Sequence, residues 1–185
     1  MRVIAGRFRS RRIRSLPGLD VRPTPDRLRE ALFNVLAPRI EGCTFVDAYA
    51  GCGAVGIEAL SRGAGKVIFI ERKPAAVRQI QENLRSLGIE GGFEIHRGKA
   101  VPRLAQYDAD IVFLDPPYTL EGEYEAALRA LGENPPPLVV VQHAARKRLK
   151  EEYGHLRRTR TIRHGDNALS FYEPVEEAPA SGGPS

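Results

Sequence analysis

Asp115-Pro116-Pro117-Tyr118 follows directly on the apolar run Ile111–Leu114. Two consecutive prolines fix the backbone and remove two N–H donors, leaving carbonyl oxygens as acceptors. Asp115 adds a carboxylate acceptor, and Tyr118 an aromatic face on which a planar ring can stack. A planar exocyclic NH2 group needs this combination: acceptors for its protons and a surface for its ring. An ordinary Pro-Pro turn requires neither the acid nor the aromatic residue.

A second constellation is Val46-Asp47-Ala48-Tyr49-Ala50-Gly51-Cys52-Gly53-Ala54-Val55-Gly56, which holds a literal G-x-G-x-x-G between an apolar run and a helical one. Glycines there let backbone approach a ligand closely. Alone the motif is weak and suits several nucleoside cofactors. Asp47, four residues before the first glycine, narrows it. A carboxylate at that strand end repels a pyrophosphate and attracts the amino group of S-adenosylmethionine; its other reading is a cap on a backbone turn. Glu71 ends the next apolar run, twenty residues past Gly51. A carboxylate at this point of a βαβ unit accepts hydrogen bonds from ribose hydroxyls. Its alternative is a surface ion pair with Arg72 or Lys73, which contributes little.

These residues need a scaffold, and the pattern supplies one. The runs Thr44–Ala48, Val67–Ile70, Phe93–His96, Ile111–Leu114 and Leu138–Gln142 read as strands without polar alternation. Helical segments follow them, among them Pro74–Leu87, a short stretch at Val101–Leu104 and Tyr124–Leu131. Such alternation predicts a parallel sheet covered on both faces. Arg146–Tyr153 reads as a basic helix, and Arg157–Arg163 with Leu169–Glu173 as an antiparallel hairpin. At the front, Arg2–Ala5 and Arg11–Arg14 read as a small hairpin. Thr24 reads as an N-cap with Pro25 opening a helix that ends near Pro38.

The chain has 185 residues and a net charge of +5, enough for one domain with small additions. Residues 1–29 hold nine Arg against two Asp, and residues 143–164 hold eight Lys or Arg against two Glu. Two basic segments flanking a near-neutral body suit a polyanionic partner, because Arg and Lys release phosphate counterions. Two cysteines, Cys43 and Cys52, are too few for a disulfide framework or a structural zinc site, and the four histidines lack metal spacing. No metal is expected. No apolar run approaches the ~20 residues that span a bilayer, and the N-terminus lacks a secretory signature, so a cytoplasmic protein is expected.

The loop Asp47–Gly56, Glu71 and Asp115–Tyr118 resemble the class I S-adenosylmethionine-dependent amino-methyltransferases of nucleic acids. Arg22-Pro23-Thr24, Arg29–Asn34, Glu58–Ala64 and Ala168-Leu169-Ser170-Phe171-Tyr172 resemble, more narrowly, the RsmD family, over residues 2–173. That family methylates the N2 amine of one guanosine in bacterial 16S rRNA. The resemblance implies an α/β, Rossmann-like fold: a seven-stranded, mostly parallel sheet ending in a C-terminal antiparallel hairpin, with a small N-terminal hairpin and helix extension. It implies an extension at 1–38 and a methyltransferase domain at 39–174; the Pro, Ala, Ser, Gly and Glu that follow predict a disordered tail at 175–185. The implied cofactor is S-adenosyl-L-methionine, held by Asp47, Tyr49, Ala50, Gly51, Gly53, Glu71, Arg72, Lys99, Ala100 and Asp115. Asp115, Pro116, Pro117 and Tyr118 become the catalytic group. Arg2, Arg7, Phe8, Arg9, Arg11, Arg12, Arg22 and Thr24, with Tyr118, become the RNA contacts. The implied partner is 16S rRNA, within the small subunit or an assembly intermediate, and the enzyme a monomer. The sequence departs from the family at Cys52, where Ser or Thr is usual, and at Phe8, often Trp. Gly98-Lys99-Ala100 also lacks an acidic or amide residue for the adenine amine. Three rivals stand beside this reading: an adenine-N6 or cytosine-N4 methyltransferase, a nicotinamide oxidoreductase, and a basic rRNA-binding protein with a relict pocket.

Overall fold

A computed structural model describes residues 1–18 and 24–176. The strands are β1 Thr44–Asp47, β2 Lys66–Glu71, β3 Phe93–Arg97, β4 Ile111–Leu114, β5 Leu138–Ala144, β6 Glu152–Tyr153, β7 Leu156–His164 and β8 Asn167–Pro174. The helices are α1 Asp26–Ile40, α2 Ala54–Ser61, α3 Pro74–Ser86 and α4 Glu121–Glu133, with a 3-10 turn at Val101–Gln106. All eight strands form one sheet in the order β3-β2-β1-β4-β5-β8-β7-β6. The first five are parallel and the last three antiparallel.

Alternate side chains of the central strands feed two cores. Phe45, Val67, Phe69, Ile111, Phe113 and Val140 pack with Leu32, Phe33, Leu36, Ile57 and Ile80 on one face. Val46, Ile68, Ile70, Val112, Leu114, Val139 and Val141 pack with Tyr124, Leu128 and Leu131 on the other. Both faces are covered, which is why β4 is buried at every residue. The chain reverses its direction of winding at β1, whose neighbours are β2 and β4. Loops leaving the carboxyl ends of strands beside such a switch point open a crevice.

The structure corrects several expectations. The sheet has eight strands, because Glu152–Tyr153 pairs with Leu156–Arg157 beyond the hairpin. Arg146–Tyr153 is not a helix: Tyr153 Oη accepts the Lys150 N–H, and the Tyr172 hydroxyl donates to the Lys150 carbonyl. Side chains of the sheet thus take the backbone groups that a helix would have paired. Thr24 does not cap α1; its hydroxyl donates to Gln142 Oε1 at 2.9 Å instead, and the N-cap position is Pro25. Helix α1 also continues past Pro38, bringing Ile40 into the core.

The N-terminal arm holds one bridge, Arg2 to Arg12, rather than two strands. Val3 and Ile13 enter the core, and polar side chains of α2 and α3 bind its backbone. Buried Glu58 accepts the N–H groups of Ile4 and Ala5, at 2.9 and 3.0 Å. Ser61 Oγ accepts the Phe8 N–H, and Asn83 pairs with both the N–H and the carbonyl of Arg14. Arg22 and most of the expected tail, 177–185, lie outside the described residues.

Candidate active site

A cavity of about 330 Å³ opens at the carboxyl edge of the sheet. From the β2 and β1 side it is lined by Gly51 and Glu71, and from β3 by Lys99 and Ala100. Asp115–Tyr118 line it from β4, Gln142 from β5, and Asn167 from β8. The volume lies at the lower end for small-molecule sites.

The β1 loop is built around Asp47. This residue is 1% exposed, and its Oδ2 accepts the Gly56 N–H at 3.0 Å, at the start of α2. Gly53 precedes that helix with φ +85°, a left-handed conformation that glycine adopts without strain. Gly56 lies so close to Phe69 that a Cβ would collide with the ring. Burial lifts the Asp47 pKa to about 7, the Glu71 charge adds to the rise, and the Gly56 N–H opposes it. Asp47 therefore braces the turn behind the cavity wall. Its carboxylate also occupies the helix N-terminus where a dinucleotide site would hold pyrophosphate.

Glu71 faces the cavity while gripping both neighbouring loops. Oε2 accepts the Gly51 N–H at 2.8 Å and Oε1 the Lys73 N–H at 2.9 Å. Ala50 and Gly53 are buried and do not line the cavity; Arg72 and Lys99 are exposed at its rim. Tyr49 lines it, its hydroxyl donating to Glu123 Oε2 at 2.6 Å, and burial with that carboxylate raises the Tyr49 pKa.

At the β4 end, Asp115 lines the cavity and makes no side-chain hydrogen bond among the described residues. Burial and the nearby Asp47 charge lift its pKa to about 8. The Pro116 carbonyl accepts the Tyr124 hydroxyl at 3.3 Å, which engages one lone pair and leaves the other. Pro117 offers its carbonyl to the Leu120 N–H, closing the loop. Tyr118 is the one large hydrophobic side chain that the described residues expose, at 41%, and its hydroxyl donates to Asn167 Oδ1 at 2.8 Å. A half-buried acceptor, a carbonyl and a partly exposed aromatic ring therefore line one cavity. Together they can receive a planar amine.

The arginines Arg2, Arg7, Arg9, Arg11 and Arg12 are exposed on the arm and do not line the cavity. Arg7 lies over the Phe8 ring at 5.2 Å, and Phe8 itself is half-buried against the core. Thr24 is buried. Sequence reasoning missed Gln142, Asn167 and Glu123 in the cavity wall, and Asn83, which ties Arg14 to the Cys52 carbonyl of the glycine loop. Gln142 alone left a signal, as a polar residue closing the apolar run Leu138–Val141.

The family described as conserved hypothetical protein 95 matches residues 1–173. Ribosomal RNA small subunit methyltransferase D of Escherichia coli K12 is 39% identical over 136 residues, covering 72% of this chain and 68% of its own. A solved Escherichia coli structure named "Putative methyltransferase yhhF" is 31% identical, covers 96% of this chain and 99% of its own, and has a TM-score of 0.83. An RNA methyltransferase from Salinibacter ruber, solved with S-adenosyl-L-homocysteine, is 20% identical and shares the fold at TM-score 0.65, with 86% and 97% covered. By sequence and by fold, the chain belongs to the conserved hypothetical protein 95 family, that of ribosomal RNA small subunit methyltransferase D.

Proposed function

We propose that this chain transfers a methyl group from S-adenosylmethionine to the exocyclic N2 amine of a guanosine in small-subunit rRNA. The observation that carries the proposal is Asp115, an acceptor without a protein partner among the described residues, in the same cavity as Glu71 and the glycine loop. The residues fit the cofactor. In this reading Glu71 accepts from the ribose hydroxyls and the Lys99–Ala100 backbone meets the adenine, which their place in the cavity wall supports. The α2 N-terminus, filled by Asp47, leaves no cradle for a pyrophosphate. A nicotinamide dinucleotide fits this wall poorly.

Bound S-adenosylmethionine supplies an activated methyl on a sulfonium. The chain's own task is then position and electrostatics. The guanine amine is a poor nucleophile because its lone pair is delocalised into the ring. Asp115 and the second lone pair of the Pro116 carbonyl accept its two protons, favouring a pyramidal nitrogen aimed at the methyl. Tyr118 stacks on the base, which must leave its neighbours to enter. Asn167 holds the tyrosine hydroxyl and so fixes the ring. After transfer Asp115 holds the departing proton, a role that its raised pKa suits. The exposed arginines of the arm neutralise backbone phosphates.

The polymer and the cofactor are tested together. Tritium from methyl-labelled S-adenosylmethionine should enter small-subunit RNA and not DNA. Label in DNA, or tight binding of NADH with none of S-adenosylmethionine, would overturn the proposal.

A further inference from the structure

Beside the Asp115–Tyr118 loop the cavity wall carries two amides with unused donors. Gln142 and Asn167 are 3% and 7% exposed, yet both line the cavity. Gln142 lies on β5, next to the strand that delivers Asp115. Asn167 faces Ala144 of β5 across the antiparallel pairing. Each has its carbonyl oxygen fixed by a hydroxyl: Thr24 donates to Gln142 Oε1 at 2.9 Å, and Tyr118 to Asn167 Oδ1 at 2.8 Å. Among the described residues neither amide nitrogen makes a hydrogen bond, and neither is sealed from the cavity. Donors this deeply placed are costly to leave unmade, so an acceptor is expected to arrive with the ligand.

We propose that Gln142 and Asn167 read the base, donating from Nε2 and Nδ2 to a ring carbonyl while Asp115 and Pro116 hold its amine. The inference rests on the methyltransferase reading above and deepens it. The Asp-Pro-Pro-Tyr group accepts from any exocyclic amine and does not choose among bases. The amide donors add a second demand, a carbonyl on the same ring as the amine. Guanine meets it with O6 on the ring that bears N2, as cytosine does with O2, whereas adenine has an amine and no carbonyl and is excluded. The hydroxyls of Thr24 and Tyr118 fix which end of each amide faces the ligand, so the donors are set before the base enters. A site built to pair a substrate group rejects an analogue lacking it far more strongly than an apolar pocket rejects a change of shape.

The test substrate is 2-aminopurine, which keeps the amine and lacks O6. Small-subunit RNA is prepared with guanosine or 2-aminopurine at the nucleotide that wild-type enzyme methylates, and kcat/KM is measured for both. Variants Gln142→Glu, Asn167→Asp and their double keep the oxygens that Thr24 and Tyr118 bind and lose the amide donors. Gln142→Ala serves as a variant without added charge. The readout is the ratio between the two substrates, because damage to the fold or to Asp115 slows both alike. Wild type should prefer guanosine by at least about thirtyfold, and the double variant by less than about threefold. Affinity for S-adenosylhomocysteine should stay within about threefold throughout. An unchanged ratio in every variant overturns the base-reading role. Absence of any methylated guanosine with wild type is a different result, which overturns the function reading itself.

Discussion

The carboxyl ends of β1 and β4 begin from the same chemistry and use it differently. Each neighbouring strand delivers an aspartate into a buried environment, and burial lifts both pKa values, Asp47 to about 7 and Asp115 to about 8. Asp47 accepts the Gly56 N–H and lies behind the cavity wall. Asp115 lines the cavity and accepts no hydrogen bond from the described protein. Asp47 spends acceptor capacity on backbone, whereas Asp115 keeps its own unspent, as the proposed amine-holding role requires. A buried acid becomes a candidate for chemistry when its acceptor capacity is left over.

The sharpest separation comes from Asp115→Asn. Methyl transfer should fall by roughly two to four orders of magnitude, the range for removing a positioned acid–base group. Affinity for S-adenosylhomocysteine should stay within about threefold, because the loops around Gly51 and Glu71 are untouched. Asp47→Ala should behave oppositely, leaving the Gly56 N–H buried and unpaired. Stability measured by urea unfolding should drop by about 1–3 kcal/mol, and cofactor affinity should fall with it. Equal effects of the two variants on turnover would erase the distinction.

Glu71→Ala should weaken S-adenosylhomocysteine binding at least about tenfold, because the ribose loses its acceptor and the Gly51 turn loosens. In pH, both aspartates hold their protons more tightly in the folded state than at the ordinary 3.8. The folded protein therefore carries extra protons between about pH 4 and pH 8, and its stability should decline as pH rises through that window. Methyl transfer should run the other way and rise toward pH 8, since Asp115 must be ionised to accept. The rise should be absent from the residual activity of Asp115→Asn. The smallest effect belongs to the arm. Arg9→Ala with Arg12→Ala removes two exposed guanidinium groups and should leave stability within about 0.5 kcal/mol. The slope of log RNA affinity against log salt should flatten by about one for each phosphate that is no longer neutralised.

The parallel sheet was legible because β1, β2, β4 and β5 are apolar runs between glycine, proline and helical punctuation. That Gly51, Glu71 and Asp115–Tyr118 share one edge of the sheet was legible because each follows the end of an apolar run. The N-terminal arm is held by contacts that leave no local signal. It reads as a hairpin, but its backbone is held by Glu58, Ser61 and Asn83, more than fifty residues away, and no local pattern carries such pairings. Arg146–Tyr153 misled for a related reason. Its residues are good helix formers, and the hydroxyls of Tyr153 and Tyr172 override the local preference. Gln142 and Asn167 come from strands that meet only in the folded sheet, so their shared wall has no linear signature.

Nucleoside analysis of small-subunit RNA after reaction with the wild-type protein and S-adenosylmethionine tests the central claim most directly. The account predicts N2-methylguanosine at one position, formed by wild type and not by Asp115→Asn at equal cofactor occupancy. N6-methyladenosine or N4-methylcytidine as the product, or N2-methylguanosine formed equally well by Asp115→Asn, would contradict it.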